Sequence, residues 1–485
     1  MMLQRIPTQR RITMTSDPDL TRQDSDYATQ IQAALDEWQQ MQEAPRDVTD
    51  PQALDALERD IRGRTDRLSS LLLGLHLQHS LDSEDLQAEQ ALLVSHWPKP
   101  LKNDGRVQVW VRTAGGYRVP VWVTYYRRKG PRRAGKRHAG LYAGWVLLGI
   151  YDRCTPALAA QCSLLAAMLG SLDEARDVLV QRGVQLDIKT LRLMSYRYAA
   201  RARVVQQMES TEFDESVSGR RVVISTDGGR LRLCETKRGP KTKKGRRRYS
   251  SAWREPKVLI IYVVDAEGKR ESRFAPVIDA ILKGPDAVFA LLRIYLQQLG
   301  ITQADQVLFV ADGASWIWKR VPLLVKALGL AAEQVHEVLD FYHAAEHLGP
   351  VSALRKDWSA KVRSRWRTQQ RRLLLRGEVE RVIAAVRDIC RGRNSKSIRT
   401  HRDYFIKNQS RMAYAKLTAM KRPIGSGALE STVRRVVNLR LKGASLFWCR
   451  ASAEAILLLR SYYKAGRWNL LKRMATSHLA LLERV

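Results

Sequence analysis

The 485-residue chain carries 83 Lys and Arg against 49 Asp and Glu, a formal net charge of +34, with 45% apolar and 27% charged residues. That composition is globular, neither disordered nor fibrous, and at roughly 150 residues per domain the length suggests about three domains. A surplus this large points to a polyanionic partner, most simply nucleic acid, and a small acidic substrate would give no reason for it.

The charge is uneven. Residues 1–90 hold 17 acidic and 9 basic side chains and no Lys, net −8, so the other 395 residues carry +42. The five Cys, at 154, 162, 234, 390 and 449, form no CxxC pair, which speaks against a disulfide framework or a zinc ribbon and for a reducing compartment. No apolar run approaches the ~18–20 residues of a membrane span, and the opening MMLQRIPTQRR lacks the apolar stretch of a secretory signal. A soluble cytoplasmic protein is expected.

Residues 28–95 read as polar helix, with Asp50-Pro51 as N-cap and first helical residue of a segment that bends or ends near Gly74. From 106 to 126 the period changes to two: Val107, Val109 and Val111 share one face, then Tyr117, Val119, Val121, Val123 and Tyr125 share another, a β-hairpin followed by a basic loop from Arg127 to Arg137. Ser171-Leu-Asp-Glu174 is a capping box for a helix ending near Gly183, and Asp187 can cap a second helix from Ile188 to about Arg203. Its Leu191, Met194 and Tyr198 fall on one side and Lys189, Arg192 and Tyr196 on another, the layout of a helix-turn-helix with a basic outer face that can enter a major groove.

From 221 the texture becomes α/β. Strands are expected at 222–226, 230–235, 258–265, 307–312 and 335–340, with helices at 286–299 and 316–328. Three strands, helix, strand, helix, strand is the order of a ribonuclease H-like core, a mixed five-stranded sheet flanked by helices. A basic helical stretch over 344–420 follows, then helices from about 427 into the 440s and at 451–464.

Three acids sit where strands end or a helix begins: Asp227 in Ser-Thr-Asp-Gly-Gly, Asp312 in Val-Ala-Asp-Gly-Ala-Ser-Trp, and Glu430 in Ile-Gly-Ser-Gly-Ala-Leu-Glu. Strand ends are where open α/β sheets bind ligands. Two Mg²⁺ ions about 3.5–4 Å apart need carboxylates converging from separate elements. Singly, each Asp-Gly reads as a turn and Glu430 as a favourable charge in the first turn of its helix; together, beside a polyanion-binding charge, they read as a metal site.

At this point the sequence resembles bacterial insertion-sequence DDE transposases of the ribonuclease H-like, integrase superfamily. STDGGR (225–230), VADGASWIW (310–318), VLDFYHAAEHL (338–348) and PIGSGALESTVRR (423–435) carry the resemblance, as do intervals of 85 residues from Asp227 to Asp312 and 118 from there to Glu430. The resemblance implies that Asp227, Asp312 and Glu430 are catalytic metal ligands, holding two Mg²⁺ or Mn²⁺ per active site. Asp340-x-x-His343 looks like the Asp-x-x-His signature of Mutator-like relatives and makes both supporting residues. It further implies double-stranded DNA as partner, at least a homodimer in the assembled complex, and a nucleoid-associated bacterial enzyme. Cys pairs that such relatives often carry near the hairpin are missing from YYRRKGPRR (125–133), so zinc is not expected there.

The expected organisation is an acidic helical region (1–100), a hairpin and helix-turn-helix DNA-binding region (101–205), a first part of the core (206–345), a helical insertion (346–422) and a second part with the Glu helix (423–485). Candidate DNA contacts are Lys189 and Arg192. Lys237, Lys243, Lys244, Arg246, Arg247 and Arg248 lie in a stretch with eight basic residues of twelve, over 237–248. Arg363 and Arg367 are interleaved with Trp358 and Trp366, which read either as base-stacking rings or as helix anchors, and Arg434, Arg435 and Arg440 follow Glu430. Three rivals remain. His343-Ala-Ala-Glu346-His347 spells the inverted zincin motif, though a peptidase would leave the charge and both Asp residues without purpose. A structure-specific nuclease and a non-catalytic repressor derived from a transposase are the others.

Overall fold

A computed structural model describes residues 27–45, 47–128, 140–208, 213–243, 245, 247–393, 395–444 and 446–479. They divide into two compact units, one reaching to 206 and taking in 471–479, the other spanning 207–470.

In the first unit, helices α1 (Tyr27–Glu43), α2 (Pro51–Asp82) and α3 (Glu84–Ser95) precede strands β1 (Leu101–Arg112) and β2 (Arg118–Arg128). The hairpin forms in the register its alternation demands, with Val107 opposite Val123, Val109 opposite Val121 and Val111 opposite Val119. Its buried valines share one core with Tyr27, Leu71 and Leu81 of the acidic helices. Asp50 caps α2, its carboxylate accepting the Ala53 N–H at 2.9 Å. The helix does not end near Gly74. It runs through that residue, and the Tyr27 ring stands 2.6 Å from where a Cβ would be, so the glycine serves close approach and not a break.

Strand β3 (Gly140–Tyr142) pairs with β2. Apart from Arg127 and Arg128, which end β2, the expected basic loop lies outside the described residues. Helices α4 (Ala143–Leu147), α5 (Pro156–Met168), α6 (Leu172–Gln181) and α7 (Ile188–Gln207) complete this part. The Ser171 hydroxyl accepts the Glu174 N–H at 3.0 Å, and Gly183, at φ +77°, ends the turn after α6. Asp187 caps α7 by accepting the Thr190 N–H at 2.8 Å. Leu191, Met194 and Tyr198 are buried while Lys189 and Arg192 are exposed, as the helical period requires.

The second unit holds β4 (Arg221–Gly228), β5 (Leu231–Thr236), β6 (Tyr249–Arg254), β7 (Lys257–Val264), β8 (Val277–Ile281), α8 (Pro285–Gln298), β9 (Gln306–Ala311), α9 (Ser315–Trp318), α10 (Val321–Leu328) and β10 (Val335–Leu339). Five strands make one mixed sheet in the order β10-β9-β4-β7-β8. β10, β9 and β4 run parallel, and β7 is antiparallel to both β4 and β8. β7 is buried along its whole length, as a continuous apolar strand inside a covered sheet should be.

One of the expected strands needs correction. RLRLCE over 230–235 is no strand of this sheet: as β5 it pairs with β6 in a separate ribbon. Its alternating pattern suits a ribbon with one covered face, whereas a central strand reads as an unbroken apolar run. The place taken from it goes to β8, which the sequence hides because Asp279 interrupts a short strand. That Asp is fully buried and accepts the Tyr295 hydroxyl at 2.7 Å.

Helices α11 (Phe341–Ala353), α12 (Ala360–Leu375), α13 (Val379–Ile389), α14 (Lys396–Lys407) and α15 (Tyr414–Ala419) follow, with a core built on Leu348, Leu374, Val382, Val386 and Phe405. Trp358 and Trp366 pack against that core, 6.1 Å apart, and so serve as anchors. Helix α16 (Gly427–Val433) continues through a π-helical stretch, Arg434–Asn438, into α17 (Leu439–Leu441), and α18 (Arg450–Ala465) and α19 (Trp468–Thr476) close the chain.

Candidate active site

Strand register sets three acids along the same edge of the sheet. Ile224 of β4 lies beside Phe309 of β9, and Leu339 of β10 beside Ala311 of β9. Asp227 follows three residues after Ile224 in β4, Asp312 directly follows β9 and Asp340 directly follows β10, so the three acids lie at the same ends of adjacent parallel strands.

Asp227 is half-buried at the end of β4 and its Oδ1 accepts the Gly228 N–H at 2.6 Å. Burial raises its carboxyl pKa, and the charge of Asp312 pushes the same way. Asp312 follows β9 directly. Its Oδ1 accepts the Ala314 N–H at 2.9 Å, and its carbonyl accepts the Trp318 indole N–H at 2.6 Å. Gly313 is required because the Tyr404 ring fills the place where a Cβ would stand. The Asp-Gly turn at β9 is therefore pinned from two sides.

Asp340 plays a different part. It is 3% exposed and caps α11, with Oδ1 accepting the N–H groups of Tyr342 at 2.7 Å and His343 at 3.3 Å. Oδ2 accepts the Ser426 N–H at 3.0 Å and a short bond from the Ser426 hydroxyl, and lies 3.6 Å from His343 Nδ1. Phe341 N–H also donates to Ile424 O at 2.9 Å. Burial would raise the Asp340 carboxyl, but the bonds from His343 and Ser426 outweigh it and hold its pKa at about 2. In return Asp340 lifts His343 to about 9, with Asp312 adding to the pull, so the imidazole is protonated at neutral pH beside the acids.

Glu430 sits one turn into α16, which packs against β4 and β7. Its side chain is exposed. Among the described residues no three His, Cys, Asp or Glu side chains come together to hold a metal ion. What the structure assembles is the Asp227–Asp312 pair, with the start of the Glu430 helix tied to Asp340 through Ser426.

Three residues of the site escaped the sequence reading. Lys257 begins β7 opposite Gly228; it is 5% exposed, 2.7 Å from Glu255 Oε1 and 4.0 Å from the Trp316 ring centre. Glu255 itself lies over Gly228, where a Cβ would collide with its carboxylate. A Lys opening an otherwise apolar strand was the available signal. Ser426 gave none, because its partner is 86 residues away.

The zincin spelling does not assemble a zinc site. His343 engages Asp340, whereas His347 Nδ1 meets His401 Nδ1 at 3.0 Å and its ring stacks on Tyr404 at 3.6 Å. Burial, aided by His401 and His343, pushes His347 down to about 4.

Of the basic candidates, Lys237, Lys243, Arg247 and Arg248 are exposed between β5 and β6, and Lys244 and Arg246 lie outside the described residues. Arg367 and Arg434 are exposed. Arg363 is half-buried, with Nε donating to Arg355 O at 3.2 Å, and Arg435 is half-buried too. Arg440 is a correction: it is 6% exposed with its guanidinium over Trp448 at 5.1 Å, so it is a packing residue and no phosphate contact. Comparison with protein-family models, curated proteins and solved structures gives no match.

Proposed function

We propose that this chain is a DNA transposase of the bacterial insertion-sequence type, which binds the terminal inverted repeats of its element and cuts and joins DNA strands with Mg²⁺ or Mn²⁺. One observation carries the reading: Asp227 and Asp312 lie at the same ends of adjacent parallel strands, β4 and β9, each three residues past the Ile224–Phe309 pair, and the charge of Asp312 acts on Asp227. Numbered by chain position, the sheet strands run 3-2-1-4-5 with the second antiparallel to the others, the arrangement of a ribonuclease H-like core.

The pair fits a divalent cation. Burial and mutual repulsion both disfavour the charged form of Asp227, and a cation relieves both. Asp227 and Asp312 would hold the metal, with Glu430 as third carboxylate, and two such ions supply Lewis acidity at the attacked phosphate and a lowered pKa for the attacking water or hydroxyl. The chain's own residues do the rest. Protonated His343 offers a fixed positive charge near the acids, Asp340 keeps it protonated and orients it, and Ser426 fixes the start of the Glu430 helix. The +42 beyond residue 90 draws double-stranded DNA to this surface, and two ends held at once call for a homodimer or larger assembly.

Labelled DNA ending in the element's inverted repeats, incubated with protein and Mn²⁺ or Mg²⁺, should be cut and joined by wild type. Asp227→Ala, Asp312→Ala and Glu430→Ala should bind it without cutting. Undiminished cleavage by any of the three overturns the assignment.

A further inference from the structure

The ribbon of β5 and β6 leaves the sheet just after Asp227 and returns at Lys257, and its two faces differ. On one face Arg232 lies opposite Trp253, Cys234 opposite Ser251 and Thr236 opposite Tyr249. The segment at Phe447–Trp448 runs along β5: Trp448 N–H donates to Arg232 O at 3.0 Å, and Cys234 N–H to Trp448 O at 2.9 Å. Neighbours on an extended segment point to opposite sides, so Trp448 is buried while Phe447 joins the first face. There the Arg232 guanidinium lies 4.8 Å from the Trp253 ring centre and 5.8 Å from that of Phe447, and Tyr249 is 5.9 Å from Phe447. Tyr249, Trp253 and Phe447 are nevertheless 54%, 50% and 37% exposed. The opposite face buries Leu231 and Leu233 and pairs Glu235 with Arg254 at 2.7 Å.

Three features select an occupant. Among the described residues, the aromatic face carries no carboxylate. The connection between its two strands, 237–248, has eight basic residues of twelve. Two of its rings, Trp253 and Phe447, flank the Arg232 guanidinium, a group that itself stacks on bases. Phosphates meet the basic connection while flat apolar rings meet the rings of the platform. A duplex offers only base edges in its grooves, so the bases must be unpaired. We propose that this face is a stacking platform for the unpaired bases of a single-stranded nucleic acid, held at the root of the Asp227 site. It deepens the nucleic-acid reading above and rests on it for the class of partner.

The test uses the full chain without divalent cations, a fluorescent oligo-dT of about 12 nucleotides and a duplex of the same length, read by anisotropy over a salt series. Trp253→Ala with Tyr249→Ala should weaken single-strand binding about tenfold or more, leave duplex binding within about twofold and keep the salt slope. Trp253→Phe with Tyr249→Phe should restore most of the loss. Lys237→Ala with Arg247→Ala should weaken both ligands and flatten the slope. As a check independent of any variant, oligo-dT carrying iodouracil should photocross-link wild type at Tyr249 or Trp253. Equal loss on both ligands, no loss at all, cross-links only elsewhere, or a self-association that the aromatic variants abolish while single-strand binding stays intact each overturns the platform. Wild type that binds neither ligand overturns the nucleic-acid reading itself.

Discussion

Replacing Asp340 by Asn tests whether this residue ties the Glu430 helix to the sheet. The carboxylate uses both oxygens: Oδ1 takes two N–H groups of α11, and Oδ2 takes the N–H and hydroxyl of Ser426. Asn keeps one oxygen, which still caps α11 well, but turns an NH₂ toward two donors on Ser426. Two bonds to a charged acceptor, at roughly 1.5–3 kcal/mol each, are lost, and rotation of the Ser426 hydroxyl recovers part of one. About 3 kcal/mol of local stability should go, which is about 150-fold. Amide hydrogen exchange reads this directly: Ser426 and the first turn of α16 should exchange about 150-fold faster, while the β7 amides stay unchanged. The same change removes the partner of His343, whose NMR-measured pKa should fall from about 9 toward 6.5. Exchange at Ser426 altered less than about fivefold, or a His343 pKa already near 6.5 in wild type, refutes the reasoning.

Other consequences follow from the same contacts. Gly313→Ala drives a methyl into the Tyr404 ring and should cost about 1–3 kcal/mol, much of it recovered by Tyr404→Leu in the double variant, as denaturant melts would show. Around Lys257 the effects should be unequal: Lys257→Met leaves the half-exposed Glu255 in water and should be nearly neutral, whereas Glu255→Ala strands a buried ammonium and should cost roughly 2–3 kcal/mol. His347, lowered from 6.5 to about 4 by burial, binds more protons unfolded than folded, so its contribution is present above 6.5 and is lost as pH falls toward 4. Wild type should therefore lose more Tm between pH 7 and 5 than His347→Phe does, and equal losses would exclude the effect. For His343, raised from 6.5 to about 9, the sign is opposite: its stabilisation is complete below 6.5 and lost as pH rises through about 9. Wild type should lose more Tm between pH 7 and 10 than His343→Gln.

The sequence by itself determined whatever depends on local period and local caps. The hairpin register follows from alternating valines, and the starts of α2, α6 and α7 follow from Asp50, Ser171 and Asp187, each bonded within three residues of itself. Asp227 and Asp312 were legible as acids closing apolar strands, because an apolar run ending in Asp-Gly is a local signal. Their alignment was not, since the pairing of β4 with β9 joins residues some 85 apart. Tertiary structure alone decided that β8 and not β5 completes the sheet, because a buried Asp279 satisfied by Tyr295 looks from the sequence like a loop residue. It also turned Gly74 from a break into a contact, Arg440 from a DNA ligand into a packed cation, and Trp358 and Trp366 into anchors. It left Tyr249, Trp253 and Phe447 on the surface instead. Each of these depends on which side chain arrives from far along the chain, and burial, unlike helical or strand period, is not written in any short window of sequence.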